Sequence, residues 1–261
     1  MSWPKDIVLV GAGNVAWHLG RQLAHCGLCV SYVWSRSAEK ATALANHLGC
    51  PGGNTLQDIP PRAALYLIAV KDDAIAAVAA TLAQVIAPGA LVLHTAGATP
   101  STVLSPYFSH YGVFYPLQTF SRDREVDFKT IPLCLFTAQQ ADYPAVANLA
   151  RLLSTKVYAV SDEQRAQLHL AAIFVNNFTN YLQHISRSLL REHNLPEELV
   201  QPLLMETILK LQDLTPREAQ TGPAIREDQA TIERHLAMLH DHPQWADIYT
   251  ILTAGIKHDL G

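Results

Sequence analysis

Short apolar, β-branched runs alternate with stretches in which apolar residues recur every three or four positions. Ile7–Val10 opens the series, and a helical pattern from about Asn14 to Cys26 follows, with Val15, Leu19 and Leu23 on one face and Gly27 placed to end it in the left-handed region. The same alternation continues with Leu28–Trp34 as a strand, Ser37–Leu48 as a helix closed by Gly49, Ala64–Val70 as a strand and Ala74–Ile86 as a helix. Strands are then predicted over Leu91–Ala96, Val113–Phe120, Leu133–Thr137 and Lys156–Val160, with a helix over Tyr143–Leu153 before the last of them. Runs as continuously apolar as Ala64–Val70 suit strands covered on both faces, so the pattern predicts an α/β fold with a doubly wound, mainly parallel sheet.

Beyond Ser161 the texture changes. With Asp162 as a candidate cap, Leu168, Ala171, Ala172, Val175, Phe178, Thr179 and Leu182 recur at helical spacing. Further helices are expected over Glu197–Leu211, Gln229–His240 (capped by Asp228) and Trp245–Ile256, with a loop over Thr215–Arg226. The chain is therefore expected to divide into a dinucleotide-binding domain, residues 1–161, and an all-helical substrate and dimerisation domain, residues 162–261. So many apolar helical faces in about a hundred residues point to a homodimer.

The N-terminal junction carries the first chemistry. Ile7–Val10 runs directly into Gly11-Ala12-Gly13-Asn14-Val15-Ala16, a G-x-G-x-x-A turn between strand and helix. In this arrangement Gly11 makes the tight turn, Gly13 lets the backbone approach a pyrophosphate, Ala16 permits close packing, and the helix opening at Asn14 and Val15 offers unpaired N–H groups to the phosphates. At the end of the second strand, where a carboxylate would hold the ribose hydroxyls of NAD, the chain reads Trp34-Ser35-Arg36-Ser37, followed by Lys40. A carboxylate would repel a 2′-phosphate, whereas Arg36 offers a fork of donors and Ser35 and Ser37 offer hydroxyls, so the expected cofactor is NADP.

Composition narrows the class. With 261 residues, a formal net charge of −4 and 16% charged residues, the chain is enzyme-sized and carries no basic footprint for nucleic acid. Neither a leader-like N-terminus nor an apolar run of membrane-spanning length stands out, which gives a cytoplasmic expectation. Four cysteines make no disulfide framework. Cys26 and Cys29 form a C-x-x-C, but at a helix end, away from the dipole that would activate a thiol. His235, His240 and His242 lack a second ligand cluster, so no metal site is expected.

In open α/β sheets ligands bind beyond the carboxyl ends of the strands, which puts Val70, Lys71 and Thr95 beside a nicotinamide. Hydride transfer needs one proton supplied or removed, and His169 and His94 are the candidates that titrate near neutrality. Asn176 and Asn177, at i+7 and i+8 from His169, place an amide on its helix face to orient a substrate oxygen. Arg226, beside Thr221 and the rigid Gly222-Pro223 turn, is a candidate clamp for a substrate carboxylate or phosphate, and Gln118 a candidate cleft residue. Each has a plainer reading as a satisfied core, interface or cap residue.

Four stretches, GAGNVAWHL, HTAGATP, RAQLHLAAIFVNNF and QTGPAIRED, give the chain a resemblance along essentially its whole length. It resembles the family assigned as NADP oxidoreductases in which a Rossmann-like domain is joined to a C-terminal domain of unknown function numbered 2520. More distantly it is similar to pyrroline-5-carboxylate reductases, prephenate dehydrogenases, ketopantoate reductases and deazaflavin-dependent NADP reductases. The resemblance implies a Rossmann domain followed by a helical domain of the 6-phosphogluconate-dehydrogenase type. The β-hydroxyacid dehydrogenases of that superfamily carry a lysine on the corresponding helix, where this chain has His169 and no lysine, which argues against 2-hydroxy-acid chemistry. The expected function is NADP-dependent reduction or oxidation of a small polar carbonyl or imine in an interdomain cleft. The alternatives are an NADP-binding regulatory or scaffold protein without turnover, and a flavin- or deazaflavin-linked NADP reductase.

Overall fold

The computed structural model describes residues 6–260. Among them are strands β1 (Ile7–Val10), β2 (Val30–Trp34), β3 (Gly52–Gly53), β4 (Leu65–Ile68), β5 (Leu91–His94), β6 (His110–Pro116), β7 (Leu133–Thr137) and β8 (Val157–Ala159). They form a single sheet in the order β3-β2-β1-β4-β5-β6-β7-β8. Every neighbouring pair is parallel except β6 and β7, which run antiparallel. The chain leaves β1 toward β3 on one side and crosses to β4 on the other, so the strand order reverses between β1 and β4, the position at which open α/β sheets bind ligands.

Helices α1 (Asn14–His25), α2 (Ala38–Leu48), α3 (Ile75–Leu82) and α4 (Tyr143–Leu153) flank the sheet. Alternate strand residues point to opposite faces. Ile7 and Leu9 pack with Leu19 and Leu23 of α1, Leu44 of α2 and Leu149 of α4. On the other face Val8 and Val10 pack with Ile75, Val78 and Leu82 of α3. Both faces of β1 are thus covered, which is why the run reads as wholly apolar. The expected caps also form: Ser37 accepts from the Lys40 amide, and Gly27 and Gly49 adopt positive φ of 73° and 67° after α1 and α2.

Some boundaries differ from the sequence pattern. The strand expected over Val113–Phe120 is β6, which starts at His110 because it pairs with Leu91 from there, and ends at Pro116, after which the Leu117 amide donates to the Pro132 carbonyl. Helix α3 stops at Leu82, giving way to tighter turns up to Ile86.

The chain divides into two compact units, one up to Asn176 and one from Asn177 onward. Helix α5 (Asp162–Ala172) belongs to the first. Its cap is Ser161 rather than Asp162: Ser161 and Gln164 form a reciprocal capping box, which frees the Asp162 carboxylate for other partners. A π-helical stretch, Ile173–Phe178, follows, and the boundary between the units falls within it. The second unit contains α6 (Thr179–Glu192), α7 (Gln201–Asp213), α8 (Pro216–Ala219), α9 (Gln229–Met238, capped by Asp228) and α10 (Pro243–Gly255). No helix among the described residues is long and apolar enough to cross a membrane.

Candidate functional site

A cavity of about 500 Å³ opens at the carboxyl ends of β1, β2, β4 and β5. Gly11 forms its floor at a φ of 132°, and a Cβ there would lie 2.1 Å from the Ala69 carbonyl oxygen. Only glycine fits between β1 and β4 at this point. Gly13 differs: its backbone is extended, and an added Cβ would meet nothing within 4 Å, because the space in front of it is the cavity. Gly13 is also the N-cap of α1 and gives the helix no side-chain cap, nor is there an acidic residue in the first turn. The opening N–H groups of α1, at Asn14, Val15 and Ala16, therefore lack a side-chain partner, and Asn14 and Val15 line the cavity. An uncapped helix N-terminus facing a cavity floored by glycine suits a pyrophosphate, by hydrogen bonding and by dipole. Ala16 is buried against the core instead, where it lets α1 pack closely on the sheet.

Two side chains of this helix are committed elsewhere. Asn14 Nδ2 donates to the Phe120 carbonyl at 2.8 Å, and His18 Nε2 lies 2.9 Å from the Ser121 carbonyl while its ring stacks on Phe120. The Arg122 guanidinium sits 3.9 Å from the centre of the Trp17 ring. Residues 118–122 are thus strapped across α1, and Gln118 and Phe120 line the cavity. The Asn14 side chain is therefore committed to this strap, although the residue lines the cavity.

At the other end lie Ser35, Arg36, Ser37 and Lys40. The serine hydroxyls build the turn: Ser35 Oγ accepts from the Ser37 amide, and Ser37 Oγ from the Lys40 amide, both at 3.3 Å. Arg36 and Lys40 are exposed and form no ion pair among the described residues, leaving two cations beside donor hydroxyls. Val70, Lys71 and Thr95 line the middle, where β4 and β5 end.

His94 ends β5 in the interior of the sheet, with no solvent-exposed surface. Its Nδ1 accepts from the Ala96 amide at 3.2 Å. Burial above all, and then the nearby Arg165 guanidinium, pull its pKa down to about 4 against the opposing influence of Asp162 and the Pro100 carbonyl. His94, expected as an acid–base candidate, is thus enclosed in the sheet with its pKa lowered. Central position in the sheet is the reason.

His169 lies on α5 and is half-buried. Its Nδ1 is 3.1 Å from the Tyr115 hydroxyl, and the two rings meet edge to face. Both press on the loop after β5: a Cβ at Gly97 would lie 2.4 Å from His169 Nδ1 and 2.8 Å from Tyr115 Cζ. One turn before His169, Arg165 is fully buried, with Nη1 donating to Asp162 at 2.7 Å and Nη2 to the Thr99 carbonyl at 2.6 Å. The second Asp162 oxygen accepts from both the amide and hydroxyl of Ser101 at 2.8 Å. This network ties the start of α5 to the HTAGATP loop. Partial burial works to raise the Asp162 pKa, but the hydrogen bonds from Arg165 and Ser101 outweigh it and hold the carboxyl below the ordinary aspartate value.

Asn176 and Asn177 are exposed in the π-helical stretch. In the second unit, Thr221 and Arg226 are exposed on the turn preceding α9, where Gly222 has a φ of 111° and the Asp228 amide donates to the Pro223 carbonyl. All four cysteines are free, Cys26 donating to the Leu152 carbonyl, and no metal-ligand cluster occurs among the described residues.

Comparison with known proteins agrees with this architecture. Residues 5–118 match a Rossmann-like domain, and residues 132–256 match the domain of unknown function DUF2520. A crystal structure of a putative NADP oxidoreductase from Bacteroides fragilis is 41% identical, covers 97% of this chain and 98% of its own, and superposes with a TM-score of 0.92. An imine reductase from Myxococcus stipitatus in complex with NADP+ shares the fold at 17% identity, 98% and 96% coverage and a TM-score of 0.65. So does a pyrroline-5-carboxylate reductase from Coxiella burnetii, at 14% identity, 100% and 99% coverage and a TM-score of 0.61. No curated protein matches the chain. The chain belongs to the family that joins a Rossmann-like domain to DUF2520, the family of the Bacteroides fragilis protein.

Proposed function

We propose that the protein is an NADP-dependent oxidoreductase that transfers a hydride to or from a small polar carbonyl or imine compound. The observation that carries this reading is a cavity with an uncapped helix N-terminus at one end and, at the other, two cations that form no ion pair among the described residues, beside serine hydroxyls. The backbone at Gly13, Asn14 and Val15 would hold the pyrophosphate. Arg36, with Lys40 and the turn built by Ser35 and Ser37, would hold the 2′-phosphate. Bound there, the dinucleotide supplies the hydride. The chain's own work is then to seat the nicotinamide beside Val70 and Thr95 and to move one proton, for which His169, on α5 and in contact with the Tyr115 hydroxyl of β6, is the candidate. The names of the Bacteroides and Myxococcus proteins agree with this reading.

The test is a fluorescence titration with NADPH and NADH at one salt concentration. NADPH is expected to bind at least about tenfold tighter, a difference of about 1.4 kcal/mol. Arg36→Ala is expected to remove most of that difference by weakening NADPH alone. Equal affinities in the unsubstituted protein would overturn the NADP assignment. Tight binding with no oxidation of NADPH by any carbonyl or imine compound would favour a dinucleotide-binding scaffold.

The same reading includes a homodimer located in the cytoplasm. Leu203, Leu209 and Leu211 on α7 and Ile251 on α10 are exposed apolar side chains, more than a solvated helical unit usually leaves bare. Sedimentation equilibrium is expected to give twice the chain mass, and a monomer at micromolar concentration would count against the dimer.

A further inference from the structure

We propose that Tyr115 acts through His169 as a proton-delivering pair, with the Tyr115 hydroxyl donating to Nδ1 and thereby holding the ring proton on Nε2, where a substrate can take it. The proposal rests on the oxidoreductase reading for its chemistry but not for its geometry. Tyr115 is the penultimate residue of β6 and is almost enclosed, whereas His169 is half-buried, so the histidine is the member of the pair that reaches solvent. The Tyr115 hydroxyl is the one hydrogen-bond partner of the His169 ring among the described residues.

Three constraints fix the ring. Tyr115 holds Nδ1, Gly97 leaves room for the imidazole with no space for even a methyl group, and Arg165, one turn earlier on α5, is pinned to Thr99 and Asp162. A histidine that merely filled space would not need a glycine opposite it together with a buried ion pair under it. The direction of the hydrogen bond is part of the proposal. Burial, with smaller contributions from Cys134 and Asp72, pushes the Tyr115 hydroxyl up to about 12, so it keeps a proton that it can give to Nδ1. The Arg165 guanidinium works in the opposite direction, favouring the negative charge that would develop on the phenol oxygen.

The step balances as follows. As the carbon of a C=O or C=N group takes up hydride from the reduced nicotinamide, its π electron pair moves to the oxygen or nitrogen, which takes the Nε2 proton of His169. The electrons of that N–H bond stay on the ring and Nδ1 takes the Tyr115 proton; the ring then returns that proton to the tyrosinate as Nε2 takes a new one from water, which restores the starting pair. Tyr115 is a positioning and proton-supplying residue that acts through the histidine, which touches the substrate.

Long-range proton–nitrogen NMR of the imidazole rings tests the pair without any substrate. At about pH 8, where an ordinary histidine is neutral, the His169 ring, identified by its loss in His169→Gln, is expected to carry its proton on Nε2. Its Nδ1 resonance is expected at the position of a hydrogen-bond acceptor, and Tyr115→Phe should move it to that of an unbonded nitrogen. A proton on Nδ1 in the unsubstituted protein, or an Nδ1 resonance indifferent to Tyr115→Phe, would overturn the proposal. Gly97→Ala, which keeps Tyr115 but displaces the ring, is expected to move the same resonance.

The kinetic arm uses any small aldehyde, ketone or cyclic imine that the protein reduces. Tyr115→Phe is expected to lower kcat about a hundredfold, with KM and the NADPH Kd within about twofold of their original values. An unchanged kcat would overturn the relay. Absence of turnover in the unsubstituted protein would count against the oxidoreductase reading, while the NMR result would still decide the pair.

Discussion

Asp162→Ala is expected to destabilise the N-terminal unit by about 3–5 kcal/mol. The side chain of Arg165 is 2% exposed, and Asp162 is its only ion-pair partner among the described residues. Without the carboxylate the guanidinium stays buried with the Thr99 carbonyl alone, while its Nε already lacks a partner. Ser101 loses the acceptor of both its amide and its hydroxyl. Such a loss is larger than the contact itself is worth, because the cost lies in the uncompensated buried charge. Urea denaturation followed through Trp34, which is buried in the same unit, measures it. Asp162→Asn, which keeps an acceptor oxygen, is expected to lose less, and a loss below about 1 kcal/mol for the alanine variant would show that the pair is weak. The pH dependence has a definite sign. Asp162 is held below its unfolded value, so its contribution is complete above that value, near pH 4, and disappears as the pH falls through the lower folded value. The difference between Asp162→Ala and the unsubstituted protein should therefore narrow in acid.

Gly11→Ala is expected to cost about 2–6 kcal/mol, combining roughly 1–3 kcal/mol of backbone strain with roughly 1–3 kcal/mol of overpacking. The added methyl would meet the Ala69 carbonyl at 2.1 Å, and that neighbour is backbone, which cannot rotate away. Relief requires β1 and β4 to part at their carboxyl ends, the floor of the cavity. Thermal unfolding reports the first consequence and NADPH titration the second. Gly13→Ala is the control: its Cβ meets nothing in the protein, so it is expected to keep its stability and weaken dinucleotide binding alone. Equal stability of the two alanine variants would refute this division of labour between the glycines.

What could be read from the chain alone was local. Ile7–Val10 and Gly11 declare themselves within ten residues, because a strand buried on both faces must be apolar at every position and a turn against a neighbouring carbonyl must lack a side chain. The Arg36 turn was equally legible, since it lies a fixed distance beyond the glycines. Partners distant in sequence were not. Tyr115 and His169 are 54 residues apart, and their meeting depends on where β6 ends and how α5 is anchored. Arg165 reads as one more charged residue of a polar helical turn, and only Asp162, Thr99 and the absence of solvent reveal it as an interior charge. His94 looked available because it stands where a strand ends beside Thr95, but its ring is enclosed there, with no solvent-exposed surface. The spacing of Asn176 and Asn177 from His169 assumed an unbroken α-helix, whereas Ile173–Phe178 is π-helical, with a hydrogen-bond step of i+5.

The reversal of β7 decides where the chain must travel after β6. Had β7 run parallel to β6, residues 117–132 would have had to cross to the opposite rim of the sheet before starting it, as a parallel connection requires. An antiparallel neighbour starts where β6 stops, so the whole connection stays on the rim that holds the dinucleotide cavity. One change of strand direction thus keeps residues 117–132 on the cavity's side of the sheet, so that Gln118 and Phe120 line the cavity and the carbonyls of Phe120 and Ser121 meet the side chains of α1 without any crossover.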